Sequence, residues 1–128
     1  MLELQKFFLV GIGGSLGAAL RYLVSRIFLR FELAATFPFA TLLVNLVGCF
    51  LIGLIASIVP NIENNQLTRL FLLTGIVGGF TTFSAFGMET FDLIQDGSSI
   101  AAAGYVAASV VLGLLAVCAG VLLAGIIK

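Results

Sequence analysis

The chain has 128 residues, 61% of them hydrophobic and 9% charged, with a formal net charge of zero and a mean hydropathy of +1.24. So little polar surface cannot keep a globule in solution, which excludes an ordinary soluble domain and marks an integral membrane protein. There is no histidine, which argues against a histidine-based metal site or proton relay, and no basic excess calls for nucleic acid.

Four apolar stretches are long enough to span roughly 30 Å of hydrocarbon at about 1.5 Å per residue. They run from Phe7 to Leu29, Phe39 to Val59, Leu70 to Ile94 and Ile100 to Ile127. The connectors, Arg30 to Pro38, Pro60 to Arg69 and Gln95 to Ser99, leave no room for a soluble domain. Residues 1–128 are therefore expected to form a single all-α domain of four transmembrane helices. The first stretch is too long for the apolar core of a removable signal and carries Arg21 and Tyr22 near its far end, so it is read as a helix of the protein. Cys49 and Cys118 fall inside the second and fourth spans and read as small apolar fillers.

Span 1 carries Gly13 and Gly17, and Gly14 and Ala18, each pair four apart, the small-residue face that lets membrane helices approach closely. Arg21 lies about two-thirds of the way along it. An arginine there is costly unless it snorkels, pairs or faces water; it is an interfacial anchor or the wall of an electropositive vestibule. In span 2, Thr41, Asn45 and Gly48 share one face. Asn45 is either glue to a neighbouring helix or a neutral donor that can replace part of an anion's hydration shell.

Span 3 holds Gly78-Gly79-Phe80-Thr81-Thr82-Phe83-Ser84-Ala85-Phe86. Adjacent glycines followed by two threonines favour a broken helix near the middle of the span. Backbone freed inside lipid must face protein, water or an ion, so such a break points to a permeation or binding site. Phe83 and Phe86 follow on one face, either as packing or as ring edges for an anion. Glu89 reads as a shallow carboxylate that pairs with an arginine or caps another helix. Span 4 places Tyr105 and Ser109 four apart on an otherwise apolar rod.

Both termini lie on one side. Lys6, Arg69 and Lys128 gather there, against Arg26, Arg30 and a snorkelling Arg21 on the other. This tie leaves orientation undecided, and insertion both ways up would allow an antiparallel dimer with its two-fold axis in the membrane plane. Four such helices fill their own centre, so an oligomer is expected.

Three blocks now carry a resemblance: Gly14-x-x-Gly17-x-x-x-Arg21-Tyr22, Thr41-Leu42-x-Val44-Asn45-x-x-Gly48-x-Phe50-x-x-Gly53, and Gly75-x-x-Gly78-Gly79-Phe80-Thr81-Thr82-Phe83-Ser84-x-Phe86. In this order, over three spans, they resemble the Fluc (CrcB-type) fluoride channels. The resemblance implies an antiparallel dual-topology homodimer in the bacterial plasma or inner membrane, with two narrow pathways that export fluoride passively and selectively. It implies that Asn45, Phe83 and Phe86 contact the ion, that Thr41, Ser84, Tyr105 and Ser109 line a polar track, and that Arg21 lies in a vestibule. It also implies a structural sodium ion on the two-fold axis, held by the backbone carbonyls of Gly78 and Thr81. Ala85 stands where members of the family often carry Ser or Thr, and Gly113 where some relatives carry a hydroxyl.

Two rival classes remain. A small multidrug exporter has four short spans but needs a carboxylate deep in the membrane, and the first three spans offer only the late Glu89. A non-transporting assembly subunit explains the glycines and leaves the glycine-threonine stretch without a purpose. Enzymatic activity is not expected, because no nucleophile-base pair, metal cluster or phosphate loop is visible.

Overall fold

A computed structural model describes residues 2–30, 37–60 and 65–127. Parts of the first two predicted connectors, and Lys128 of the charge tally, lie outside the described residues. Among the described residues the chain is all helical. The elements are α1 (Leu2–Arg30), α2 (Phe39–Ile58), α3 (Gln66–Arg69), a π-helical stretch Leu70–Val77, α4 (Gly78–Phe80), α5 (Phe83–Gln95) and α6 (Ser99–Ile127). Four segments are long and apolar enough to cross a membrane: Glu3–Arg30, Phe39–Ile58, Gln66–Gln95 and Ser99–Ile127. The protein is a multi-pass membrane protein, and the helix ends fall close to those expected from hydropathy.

Two close helix contacts organise the bundle. α1 lies along the π-helical stretch and α4, and α2 lies along α6. Both depend on glycine because backbone approaches backbone. A Cβ on Gly13 would sit 2.6 Å from the Phe71 carbonyl oxygen, and one on Gly17 would collide with the Ile76 carbonyl. Across the other seam, a Cβ on Gly53 would strike the Val117 carbonyl and one on Gly120 the Phe50 carbonyl. Lipid offers no hydrophobic drive for helix association, so such close van der Waals packing carries much of the bundle's cohesion.

The chain closes its helix ends locally. Arg69 donates from one guanidinium nitrogen to the Ala56 and Val59 carbonyls, satisfying acceptors at the C-terminal end of α2. Lys6 pairs with Glu3 at 2.8 Å. Beyond α5, Gly97 takes φ +76°, and the Ser98 N–H reaches the Leu93 carbonyl at 2.9 Å. That left-handed turn feeds directly into α6.

The fully buried core is thin: among the described residues its apolar members are Val44, Val77, Ala102, Tyr105 and Ala124. Most large apolar side chains point outward, as a lipid-embedded chain requires. A methyl group added at a backbone contact should cost about 1–3 kcal/mol. Gly17→Ala and Gly53→Ala are therefore expected to lower the unfolding midpoint in detergent. Gly125→Ala, which meets nothing within 4 Å, should leave it unchanged or raise it.

Candidate functional site

Between α4 and α5 two residues leave helical geometry. Thr81 has φ −75° and ψ 159°, and Thr82 has φ −149° and ψ 122°, both extended. This rotates backbone groups out of the helical ladder in the third membrane-spanning segment, and each needs a partner.

Asn45, on α2, supplies two at once. Its Nδ2 donates to the Thr82 carbonyl at 3.1 Å, and its Oδ1 accepts from the Thr82 N–H at 2.9 Å. The backbone donor settles the orientation of the amide, because only the oxygen can accept from it. The second Nδ2 proton has no partner among the described residues. Asn45 thus acts as glue toward its own chain and still keeps one donor free.

Other donors are redirected in the same place. The Ala85 N–H goes to Thr82 Oγ1 at 3.3 Å, an N-cap for α5, and Ser84 Oγ lies 3.3 Å from the same oxygen. In an uninterrupted helix the Thr82 and Ala85 N–H groups would bond the Gly78 and Thr81 carbonyls; both instead bond side-chain oxygens. Thr81 Oγ1 donates to the Val77 carbonyl at 3.1 Å, and the Thr81 methyl fills the space left by Gly48, where a Cβ would collide with it.

Beside this pair opens a cavity of about 340 Å³ lined by Asn45, Gly78, Thr81, Phe83, Phe86 and Ser109, among others. It is largely apolar, with a few polar groups converging. The Ser109 hydroxyl is buried without a hydrogen-bond partner. Phe83 is 84% exposed in the single chain. Its ring centroid lies 5.5 Å from that of Phe86, which in turn lies 5.2 Å from that of Tyr105.

The remaining residues singled out by sequence gather elsewhere. Thr41 and Tyr105 do not line that cavity; both hydroxyls donate to Glu89. Thr41 Oγ1 reaches Oε1 at 2.6 Å, and Tyr105 Oη reaches Oε2 at 2.7 Å. Arg21 lines a neighbouring space of about 310 Å³ together with Thr41, Thr82 and Glu89. Ser84 is exposed beside Thr82 and outside the main cavity.

Glu89 corrects an expectation. It pairs with no arginine among the described residues, and its two oxygens accept from hydroxyls of α2 and α6. The signal was available in depth: Glu89 and Tyr105 each lie six residues from the α5–α6 turn, about 9 Å at helical rise.

A small polytopic membrane protein with neutral donors and aromatic rings around an extended segment in its third span is a transport-type site. Comparison places the chain more narrowly. Residues 8–121 match the family described as "CrcB-like protein, Camphor Resistance (CrcB)", and the chain belongs to that family. Curated bacterial relatives carry the name "Fluoride-specific ion channel FluC". That of Rhizobium etli (strain CIAT 652) is 46% identical over 88% of this chain and 90% of its own. That of Azobacteroides pseudotrichonymphae is 41% identical over 94% and 96%, and that of Paracoccus denitrificans 47% over 89% and 90%.

Removing the Asn45 amide leaves the Thr82 N–H and carbonyl unpaired, at about 1–3 kcal/mol per buried group. Asn45→Ala should speed hydrogen exchange of the Thr82 amide by roughly 10- to 100-fold, with smaller changes in the middle of α6.

Proposed function

We infer that this chain is a fluoride-selective channel that exports fluoride passively from the cytoplasm. The observation that carries the reading is the match along most of the chain to proteins named as fluoride-specific channels. The chemistry agrees with it. Fluoride is small and strongly hydrated, so a selective path must offer donors at close range and still release the ion. The free Asn45 proton, the unpaired Ser109 hydroxyl and the positive edges of Phe83 and Phe86 are neutral partners of that kind.

The finer parts of the reading concern the third span and the assembly. The span is broken functionally at Thr81–Thr82, and the working unit is an antiparallel homodimer with dual topology. Support comes from the even charge tally and from the exposed Phe83 beside a cavity that a single chain leaves open. Thr41, Ser84, Tyr105 and Ser109 belong to the polar track, and Arg21 to a vestibule that gathers anions.

A central sodium ion, held by the Gly78 and Thr81 carbonyls, belongs to the same proposal. Both carbonyls have lost their helical donors, which suits them to ligate a hard cation. A cation held there supplies fixed positive potential for a passing anion.

The test is efflux from liposomes, read with ion-selective electrodes for fluoride and chloride. Fluoride should leave only with a potassium ionophore present, chloride should be retained, and sodium-free buffer should slow the flux. Phe83→Ile and Phe86→Ile should each lower the fluoride rate at least tenfold while the dimer persists on a sizing column. No fluoride release from folded native dimer would defeat the channel reading. Orientation is tested separately: with Cys49 and Cys118 changed to alanine, Ser98→Cys should react with an impermeant maleimide from both faces in comparable amounts. Labelling from one face alone would remove the antiparallel dimer.

A further inference from the structure

The structure assigns Arg26 and Arg30 of α1 to a phosphate clasp for an anionic phospholipid, with Tyr22 as a third donor one turn deeper. The clasp requires only that α1 span a bilayer, whichever ion the chain carries.

Tyr22, Arg26 and Arg30 stand four apart, so they form one stripe at the C-terminal end of α1, drifting by about 40° per step. Other faces of the helix are engaged elsewhere. Gly13 and Gly17 turn to the π-helical stretch, and Arg21 and Ser25 turn to the space they share with Glu89. The stripe is open: Tyr22 is 66% exposed at the rim of that space, and both arginines are exposed. Neither guanidinium is in an ion pair among the described residues.

Depth selects the partner. At about 1.5 Å per residue, Arg26 lies about 6 Å below Arg30 along the axis, and Tyr22 about 6 Å deeper again. The headgroup layer on each side of a bilayer is about 5–7 Å thick, and roughly 20 residues of hydrocarbon counted from Phe7 end near Arg26. The two guanidiniums therefore bracket the level of the lipid phosphates. The tyrosine hydroxyl lies just beneath, where an apolar ring with a polar tip is favoured.

A guanidinium presents a planar fork that matches phosphate oxygens, and the stripe carries no carboxylate to receive a headgroup ammonium. Asp92 and Asp96 line a space on the Ser25–Leu29 side of the helix instead. A net-negative headgroup is thus preferred to a zwitterionic one. On the adjoining face Leu16, Leu20, Leu23 and Ile27 are exposed in a continuous apolar ridge below the arginines, which gives acyl chains a surface and selects a lipid over a free phosphate ion. On the antiparallel reading the two copies carry their clasps in opposite leaflets.

The chain contains no tryptophan, so a single introduced indole reports its own lipid neighbours. Leu23→Trp places it beside the stripe without altering the three donors, and Leu115→Trp, at an exposed position of α6, serves as reference. Full-length protein in vesicles is quenched with chain-brominated phosphatidylglycerol or phosphatidylcholine at equal mole fraction. Both leaflets then have one composition, so orientation does not matter. At Leu23→Trp the anionic lipid should bind roughly threefold or more in preference to the zwitterionic one, and at Leu115→Trp the two should quench alike. Arg26→Gln together with Arg30→Gln should bring the Leu23→Trp ratio down to the Leu115→Trp level. Salt at about 1 M should do much the same to the unaltered stripe by screening, which decides the matter even where the double variant fails to fold. Equal quenching at Leu23→Trp, an equal preference at Leu115→Trp, or a preference that survives both the folded double variant and high salt would each overturn the clasp.

Discussion

Everything near the site depends on the demand that backbone groups freed in the third span find partners where water is scarce. Two extended residues in an otherwise helical span expose donors and acceptors that would each cost several kcal/mol in hydrocarbon. Asn45 meets both groups of Thr82 with one planar amide. That double bond fixes the axial register of α2 against the third span. In that register Gly48 faces the Thr81 methyl, while on the far side α4 rests on α1 through Gly14 and Gly79.

The same economy governs the electrostatics. The main cavity presents an amide proton, a hydroxyl and aromatic edges, while the guanidinium of Arg21 lines the neighbouring space. The carboxylate of Glu89 is tolerated at its depth because two hydroxyls solvate it from within the protein. Among the described residues, the buried side-chain polar atom left without a partner is the Ser109 hydroxyl.

The four spans were legible because some twenty consecutive apolar residues have few alternatives in a bilayer. The glycine seam of α1 was legible from spacing, and so was the shared face of Thr41 and Asn45. What spacing could not supply was any contact between helices. Asn45 was weighed as glue or as an ion donor; its two bonds to Thr82 show the glue, and one amide proton is left over among the described residues. Spacing put Tyr105 and Ser109 four apart on one rod but could not show that the Thr41 and Tyr105 hydroxyls donate to Glu89 while Ser109 lines the main cavity. The π-helical winding of Leu70–Val77 has no local signature; it lies where Gly13 and Gly17 let backbone meet backbone. These are tertiary outcomes, set by which side chains reach equal depth on neighbouring helices.

The open cavity and the exposed Phe83 bear on how a second copy would be held. Moving Phe83 from lipid into a protein contact gains little hydrophobic free energy, since acyl chains are as apolar as the contact itself. On the dimeric reading, a second copy would be held by packing and by polar groups with no better partner. The chain offers both in one place: an open cavity beside an exposed phenylalanine, the buried Ser109 hydroxyl, and two backbone carbonyls released from the helix. On the dimeric reading, the groups that complete the interface are thus the groups that meet the ion. On that reading, assembly and conduction would draw on the same few atoms.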